Sequence, residues 1–372
     1  MNPREPAALL PSLPQGAEIL IIRLRSLGDV VLLTPAIAAL HSWRPDLRIS
    51  VLVEAAWGAV LEGNPAISEI LIARGFAATA WDLRRRKFPV VFNQHGGPRS
   101  AFLTAASGAA ARVCWKGKQF DFLYNVLAPD AVEFYGTLQV HTVEQRMTQF
   151  YWTGLPRGPI PRAEVFPGAD ARRGIAEILS GKGIAAGEAY AVIQPGGRYF
   201  TKRWAVEHFA EVARWLMEAR GIRPVVILGP GENEIASAVR GGFGAGAGAV
   251  VLESLDLRLL IALIAGARIF LGNDAGPAHL ASAAGTPAVI IFGSSSSVHW
   301  RPWKVEHRVV QNDFPCNPCK GDRCYAFDEP RCILSVTIEQ VREACEALLA
   351  ETDRGAAANA AAPLKIEGLR TN

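Results

Sequence analysis

The chain has 372 residues, of which half are hydrophobic and 20% are charged, and its 39 basic and 35 acidic residues give a formal net charge of +4. At roughly 100–200 residues per domain, this length predicts two or three domains with sizeable apolar cores. The composition excludes a disordered acidic chain and a collagen-like fibre, and the small basic excess lacks the dense charge of a dedicated nucleic-acid binder. We therefore expect a globular protein without a nucleic-acid partner.

The first half of the chain alternates between apolar runs of strand length and amphipathic helical stretches. Strands are predicted at 18–24, 48–53, around Ile70 and at 90–92, with helices over 30–43 and through the basic run at 84–87. This alternation is typical of a parallel sheet with helices on both faces.

A stretch with four prolines, 155–168, is the best candidate for an interdomain linker. The alternation then restarts, with strands predicted at 189–194, 224–228, 249–252, 268–271 and 287–292. We predict a flexible N-terminus at 1–17, Rossmann-like domains at 18–160 and 161–350, and a flexible tail at 351–372. Two doubly wound α/β domains of this kind would face each other across a ligand cleft at the carboxyl ends of their strands.

The first strand runs into a turn that contains Ser26, Gly28 and Asp29, where a helix begins. An aspartate here is typical of a helix cap, but it would also lie at the mouth of the cleft as a general base. A helix N-terminus keeps a carboxylate ionised and makes it a weaker base. Both interpretations of Asp29 stay open on this segment alone.

The loop after the strand at 189–194 contains two glycines, followed by Thr201, Lys202 and Arg203. Glycines let backbone amides approach a ligand, and a hydroxyl with two cations at a helix start suits a phosphate. An ordinary turn with solvated charges would show the same residues.

Two further loops follow strands of the second half. After 268–271, Gly276 and Pro277 open a helix built from small residues, and Asp274 and His279 flank that start. Open N–H groups there suit a diphosphate, and Asp274 could accept hydrogen bonds from sugar hydroxyls. Glu232, after 224–228, is a candidate for ribose hydroxyls or simply an acid in the first turn of a helix.

Four cysteines lie within 17 residues, in the pattern Cys316-x₂-Cys319-x₄-Cys324-x₇-Cys332. Four thiols suffice for a structural Zn²⁺ site or an iron–sulfur cluster. The wide second spacing is less typical of a zinc ribbon, so a disulfide pair and four free thiols stay open as alternatives.

Taken together, these motifs resemble glycosyltransferase family 9, the ADP-heptose:lipopolysaccharide heptosyltransferases. The resemblance rests on 21–36, on 195–204 and on 272–281, in the family's order, and covers roughly 18–350. It implies a GT-B fold, with the acceptor held by the first Rossmann-like half and the nucleotide-sugar by the second.

The resemblance also implies an activity: inverting, metal-independent transfer of heptose from ADP-heptose to the lipopolysaccharide inner core. By position, Asp29 matches the general base and Lys202, with Thr201 beside it, the cation on the donor phosphates. Asp274 and the helix start from Gly276 to His279 match donor contacts, and Glu232 matches the ribose acid. Ala275 replaces the Thr or Ser of many members.

Other functions fit the same cleft. They are another nucleotide-sugar glycosyltransferase of cell-envelope glycans, a GT-B-like nucleotide-sugar epimerase, and a non-catalytic nucleotide-sugar-binding module. A Rossmann dehydrogenase fits less well, because no G-x-G-x-x-G follows the first strand.

A lipid-linked acceptor would lie at the inner membrane. No run approaches the ~20 apolar residues of a membrane-spanning helix, and no export signal is evident at the start, so we expect a cytoplasmic protein, either free or peripheral on that membrane. The basic run 84–87 is either a solvated helix face or a contact with anionic lipid, worth about 1 kcal/mol per basic residue.

Overall fold

Two parallel six-stranded sheets form the centre of the protein in the computed structural model, which describes residues 6–243 and 248–361. The first sheet contains β1 (Glu18–Ile22), β2 (Arg48–Glu54), β3 (Glu69–Ala73), β4 (Val90–Asn93), β5 (Ala111–Trp115) and β6 (Val126–Ala128). The second contains β7 (Tyr190–Gln194), β8 (Arg223–Leu228), β9 (Val250–Glu253), β10 (Ile269–Asn273), β11 (Ala288–Ile291) and β12 (His307–Val310).

Helices cover both sheets. Those of the first half are α1 (Leu27–Val31), α2 (Thr34–Trp43), α3 (Phe76–Arg86), α4 (Pro98–Ala106), α5 (Ala131–Tyr135) and α6 (Thr142–Trp152). Those of the second half are α7 (Ala169–Gly181), α8 (Val206–Arg220), α9 (Asn233–Gly242), α10 (Leu257–Ala265), α11 (Gly276–Ala284), α12 (Ser297–Trp300), α13 (Arg331–Leu334) and α14 (Ile338–Ala361). Among the described residues, no helix is both long and apolar enough to cross a membrane.

Both sheets have the same strand order. The first reads β3-β2-β1-β4-β5-β6 and the second β9-β8-β7-β10-β11-β12, so each is the doubly wound order 3-2-1-4-5-6. The central strands are apolar on both faces because helices cover both, and β1 and β7 are almost wholly buried. The predicted α/β class with two Rossmann-like units is confirmed.

In each sheet the winding direction reverses between the two middle strands, β1 with β4 and β7 with β10. Ligands of doubly wound sheets bind outside the carboxyl ends of the strands at such a point. The loops after β1, β7 and β10 are those that carry Asp29, Lys202 and Asp274. The fold therefore brings the predicted motifs to two switch points.

The N-terminal segment differs from the flexible stretch that we expected. Leu10 is fully buried, Leu9 and Leu13 are nearly so, and the Leu10 amide donates to the Thr153 carbonyl at 2.9 Å. Burial of three leucines against the end of α6 explains why 6–17 pack onto the first half. At the other end, α14 continues to Ala361, past the predicted start of the tail, and 1–5 and 362–372 lie outside the described residues.

The proline-rich stretch after α6 contains no regular helix or strand and is held by both halves. The Glu164 amide donates to the Thr34 hydroxyl at 3.1 Å, and the Val165 amide to the Ala283 carbonyl at 3.3 Å. The Trp303 indole donates to the Pro161 carbonyl at 2.8 Å. The segment is therefore a fixed connection between the two sheets in this conformation.

Candidate active site

A cavity of about 870 Å³ lies between the two halves. It is lined by nearly all the residues singled out in the sequence: Ser26, Gly28, Asp29, Lys202, Glu232, Asp274, Gly276, Pro277 and His279. Trp57 and Trp300 add aromatic surface from the first and second half. Concave sites with apolar walls and a few convergent polar groups are typical of small-molecule binding.

Two helix starts meet at the floor of this cleft, α1 from the first half and α11 from the second. A Cβ atom on Gly28 would lie 2.4 Å from Cδ2 of His279, and one on Gly276 would lie 2.8 Å from Cδ2 of Leu27. Each glycine thus makes room for a side chain of the opposite helix. The requirement for glycine here comes from contact between the halves, which the sequence pattern does not reveal.

Asp29 lies in the first turn of α1, three residues after the N-cap residue Ser26, and also at the cleft. Its Oδ2 accepts from the Ser26 hydroxyl at 3.0 Å and from the Ser26 amide at 3.4 Å, which ties the carboxylate to the N-cap residue of α1. The same carboxylate lines the cleft, with its side chain 21% exposed. A capping position therefore does not remove Asp29 from the site.

Two arginines hold the Asp29 carboxylate. Arg23, just after β1, places Nη2 2.5 Å from Oδ2, and Arg146, from α6, bonds Oδ1 through its own Nη2. Burial alone would raise the pKa of Asp29, but the charges of Arg146 and Arg23, together with the Ser26 hydrogen bonds, lower it to about 2. Asp29 is therefore ionised at every pH near neutrality.

Arg23 and Arg146 are themselves anchored to the loop after β4. The Gln94 carbonyl accepts from Nη1 of Arg23 at 2.5 Å and from Nη1 of Arg146 at 3.4 Å. Burial, and then the charge of Arg23, lower the pKa of Arg146 to about 9, so its guanidinium is still cationic at pH 7. Neither arginine was a candidate from the sequence, although Arg23 lies within the segment 21–36; Arg146 gives no local signal, because it lies 117 positions from Asp29 in the chain.

On the opposite wall, Lys202 and Asp274 form an ion pair. Nζ of Lys202 lies 2.7 Å from Oδ2 of Asp274, which also accepts from the Ser295 hydroxyl at 2.5 Å. The Asp274 side chain is only 5% exposed, whereas that of Lys202 is 21% exposed. The ammonium group is thus held at the cleft by a buried carboxylate.

Asn273 connects the loops after β7 and β10. Its amide nitrogen donates to the carbonyls of Pro195 at 2.8 Å and Gly196 at 3.0 Å, and its Oδ1 accepts from the Trp204 amide at 3.1 Å. The side chain is fully buried, where such bonds are costly to lose. Asn273 therefore fixes Lys202 relative to the start of α11.

Glu232 lies over the loop after β7. Its Oε2 accepts from the Gly229 amide at 2.7 Å, and a Cβ on Gly196 would lie 1.9 Å from its Oε1. Only glycine at 196 leaves space for this carboxylate. The position of Glu232, at the mouth of the cleft, suits an acceptor of hydrogen bonds from hydroxyl groups.

His279 is buried in the first turns of α11, and its Nδ1 has no hydrogen-bond partner among the described residues. Burial lowers the pKa of His279, so the ring is neutral at pH 7. A neutral imidazole at this helix start can donate or accept one further hydrogen bond.

Thr201 does not lie in the cleft with Lys202. Its side chain is buried, bonds the Gly321 carbonyl and lies 3.1 Å from the Ser294 hydroxyl. The short 3-10 turn Phe200–Lys202 sends adjacent side chains in different directions, which separates this hydroxyl from the neighbouring ammonium group. Thr201 thus fastens the turn to the loop that carries the cysteines.

The four clustered cysteines are free thiols around a small cavity of about 20 Å³, behind the cleft. Thr201 lines the same cavity. Within the described residues, no three His, Cys, Asp or Glu side chains are placed as a group that could hold a metal ion. Cys332 is buried, and burial raises the pKa of its thiol.

A family model and a known relative both match this chain. The model of "Glycosyltransferase family 9 (heptosyltransferase)" matches residues 77–327. Lipopolysaccharide heptosyltransferase 3 of Escherichia coli is 28% identical over 308 residues, which covers 74% of this chain and 83% of that protein.

Two solved structures share the fold. A family 9 glycosyltransferase from Veillonella parvula has a TM-score of 0.78 at 21% identity, covering 93% of this chain and 99% of that one. The E. coli heptosyltransferase WaaC with ADP has a TM-score of 0.68 at 20% identity, covering 89% of this chain and 99% of that one.

Proposed function

This chain belongs to glycosyltransferase family 9, the heptosyltransferase family, and we propose that it transfers a heptose from ADP-heptose to the inner core of lipopolysaccharide. One observation carries the proposal. An ionised carboxylate, Asp29, and a cation at an open helix start, Lys202 beside α11, face each other across a single cavity of about 870 Å³. A sugar transferred between these walls would have a base on one side and a stabilised leaving group on the other.

The second half supplies the donor site in this proposal. Lys202 and the helix start at Gly276 bind the diphosphate, and the neutral His279 ring adds a hydrogen bond. Glu232 accepts from the ribose hydroxyls, and Asp274 orients Lys202 while facing the sugar. The presence of ADP in the similar E. coli structure supports adenosine diphosphate as the nucleotide.

The first half supplies the acceptor and the base, with Ser26 and Gly28 forming the turn that carries Asp29. Among residues 6–243 and 248–361, Arg146 alone donates to Oδ1 of Asp29, so a second lone pair is available for an acceptor hydroxyl. As the acceptor oxygen bonds to the anomeric carbon, its proton passes to Asp29 and the bond from that carbon to the ADP oxygen breaks. Attack from the face opposite ADP inverts the anomeric configuration.

Charge on the departing ADP needs no catalytic metal in this proposal. In the proposal, the Lys202 ammonium group and the positive N-terminal end of α11 stabilise the developing negative charge. We also propose that 18–160 and 161–350 act as the acceptor-binding and donor-binding domains on the cytoplasmic side of the inner membrane.

The cysteine loop supports the donor site through Thr201. A structural Zn²⁺ or iron–sulfur group on Cys316, Cys319, Cys324 and Cys332 would require the thiols to close in from their present positions. Metal analysis of the purified protein, repeated on Cys316→Ser, tests whether the four cysteines hold a metal. A stoichiometric metal that is lost in the variant would support a metal site, and a metal-free wild type would contradict it.

Calorimetric titration with ADP, UDP and NAD, in EDTA, tests the donor assignment. We expect micromolar binding of ADP alone. A preference for UDP would favour a different cell-envelope glycosyltransferase or an epimerase, and binding of NAD a dehydrogenase. No binding of any of the three would contradict the proposed donor site.

A further inference from the structure

Exposed apolar side chains are distributed unevenly between the two halves. Nine of the twelve large hydrophobic side chains that are exposed among the described residues precede the linker: Ile72, Phe76, Trp81, Phe102, Phe122, Leu127, Val132, Leu138 and Trp152. Single exposed hydrophobic residues are normal in soluble proteins. Several exposed aromatic side chains in adjoining elements form a patch, and such a patch indicates a binding surface.

Four of these aromatic residues belong to two helices and a short turn, which alternate with β4 and β5 along the chain. Phe76 and Trp81 lie on α3, Phe102 on α4, and Phe122 on the 3-10 turn Asp121–Leu123, with exposures of 47%, 62%, 45% and 76%. The α3 and α4 helices pack side by side, and the ring centroids of Phe102 and Phe120 lie 5.2 Å apart. The aromatic side chains therefore share one region of the first half.

The same region is strongly basic. Residues 74–118 contain nine lysines and arginines and a single acid, Asp82, a net charge of +8 in a chain whose total is +4. Arg86 turns back to Glu69 at 2.5 Å, but Arg84, Arg85 and Lys87 are exposed and form no ion pair within the described residues. Arg99 and Lys116 also pair with acids outside this range, Glu54 and Glu133, so the unpaired charge that faces solvent is concentrated at 84–87.

Basic and aromatic groups are also in direct contact on α3. The guanidinium carbon of Arg85 lies 4.4 Å from the centroid of the Trp81 ring. Thr79 and Leu83, on the opposite side of α3, are buried against the sheet. One side of α3 thus belongs to the core, and the other presents a tryptophan and unpaired cations to solvent.

We propose that this aromatic–basic face (Phe76, Trp81, Arg84, Arg85, Lys87, Phe102 and Phe122) binds the surface of a bilayer containing anionic lipid. Aromatic side chains bury well at the boundary between headgroups and acyl chains, and clustered cations are attracted by the negative surface potential.

This inference rests on the proposed function, because the face belongs to the half that carries Asp29. A bilayer held there would deliver a lipid-linked acceptor to the base side of the cleft and leave the donor side open to dissolved ADP-heptose. The benefit would be a higher local concentration of acceptor, without any change in the chemical step.

Sedimentation of the full-length protein with phosphatidylethanolamine–phosphatidylglycerol vesicles tests the proposal, with phosphatidylcholine vesicles for comparison. We expect binding to the anionic vesicles only, lowered at least about tenfold in Arg84→Glu/Arg85→Glu, since each basic residue contributes about a factor of five. Trp81→Ala should lower binding about threefold at unchanged ionic strength.

Matched controls come from the second half. Arg172→Glu/Lys182→Glu makes the same change of net charge, and Leu334→Ala removes an exposed apolar side chain; both should bind vesicles like the wild type. The proposal would be overturned if the face variants bound vesicles as well as the controls do. It would also be overturned if neither the wild type nor any variant sedimented with the vesicles. Binding of a protein partner by this face, without binding of vesicles, would also contradict the proposal.

Transfer to a delipidated core oligosaccharide separates this inference from the proposed function. The face variants should keep wild-type activity on that soluble acceptor and lose activity only on acceptor embedded in vesicles. Absence of transfer to either acceptor by the wild type would instead contradict the proposed function.

Discussion

The two switch points have the same strand order but place their aspartates in different electrostatic settings. Asp29, after β1, is held between two arginines, so the cluster carries a net positive charge. Asp274, after β10, is held by one lysine and one serine hydroxyl, so the pair is neutral. Asp29 is also the more exposed of the two carboxylates, at 21% against 5%.

We infer that this difference gives the switch points of the two sheets different tasks. A half-buried carboxylate with an unused lone pair can accept a proton, whereas a nearly buried one that holds a lysine can only position that lysine. The topology therefore fixes where the chemistry takes place, and the residues contributed by distant helices decide what each site does.

Removal of the base should have the largest effect. Asp29→Asn keeps the shape of the side chain but cannot take the acceptor proton, so we expect kcat to fall by about 10²–10⁴. The affinity for ADP, measured by calorimetry, should stay within twofold of wild type because the donor wall is untouched. A variant with normal kcat would show that Asp29 is only a helix cap.

Removal of the cation on the other wall should weaken donor binding. Lys202→Ala deletes the ammonium group and leaves the Asp274 carboxylate facing the diphosphate, so we expect ADP to bind roughly 10–100-fold more weakly, consistent with about 1.5–3 kcal/mol for a charged hydrogen bond. The control is Lys182→Ala, which removes an exposed lysine of the same half. Unchanged binding in Lys202→Ala would leave the diphosphate without its proposed partner.

The setting of Asp29 also predicts a dependence of stability on pH. Its pKa is about 2 when folded and about 3.9 when unfolded, so the ionised carboxylate stabilises the fold above about pH 4 by on the order of 2 kcal/mol. That contribution is lost as the pH falls from about 4 to 2. Urea unfolding should show the gap between wild type and Asp29→Asn shrinking over this window, whereas a constant gap would contradict the doubly paired carboxylate.

The smallest effect should come from the ribose contact. Glu232→Gln weakens one hydrogen bond, so we expect ADP affinity to fall about fivefold, or about 1 kcal/mol. Gly196→Ala should have a similar effect, because the added Cβ displaces the same carboxylate. Calorimetry on the variant that combines Glu232→Gln with Gly196→Ala should show no further loss of ADP affinity. Additive losses would mean that the Gly196→Ala change weakens ADP binding other than by displacing Glu232.

Strands with long apolar runs were predictable from the sequence because burial on both faces leaves a strong local pattern. The predictions at 18–24, 48–53, 189–194 and 224–228 correspond to β1, β2, β7 and β8 within two residues at each end. The outer strands β5, β6 and β12 were missed, since they are short and contain polar or half-exposed positions. Strand pairing, more than residue pattern, defines them.

Local motifs identified most of the cleft, but contacts across the chain were not predictable. The bond from Arg146 to Asp29 depends on how α6 packs against the first sheet, and no local pattern records this. Neighbours in the chain, in turn, need not share a site. The Thr201 hydroxyl is next to Lys202 in the chain but points to the cysteine loop instead of the cleft. Side-chain direction in such a short turn is set by packing.

The most direct measurement is a transfer assay with ADP-heptose and a heptose-deficient inner-core acceptor, in EDTA, with the product analysed by mass spectrometry and by NMR of the new anomeric centre. We expect one heptose to be added with inverted configuration by the wild type, and almost none by Asp29→Asn. Retention of the anomeric configuration, or full activity of Asp29→Asn, would contradict the proposed mechanism, in which one base faces one stabilised leaving group across the cleft.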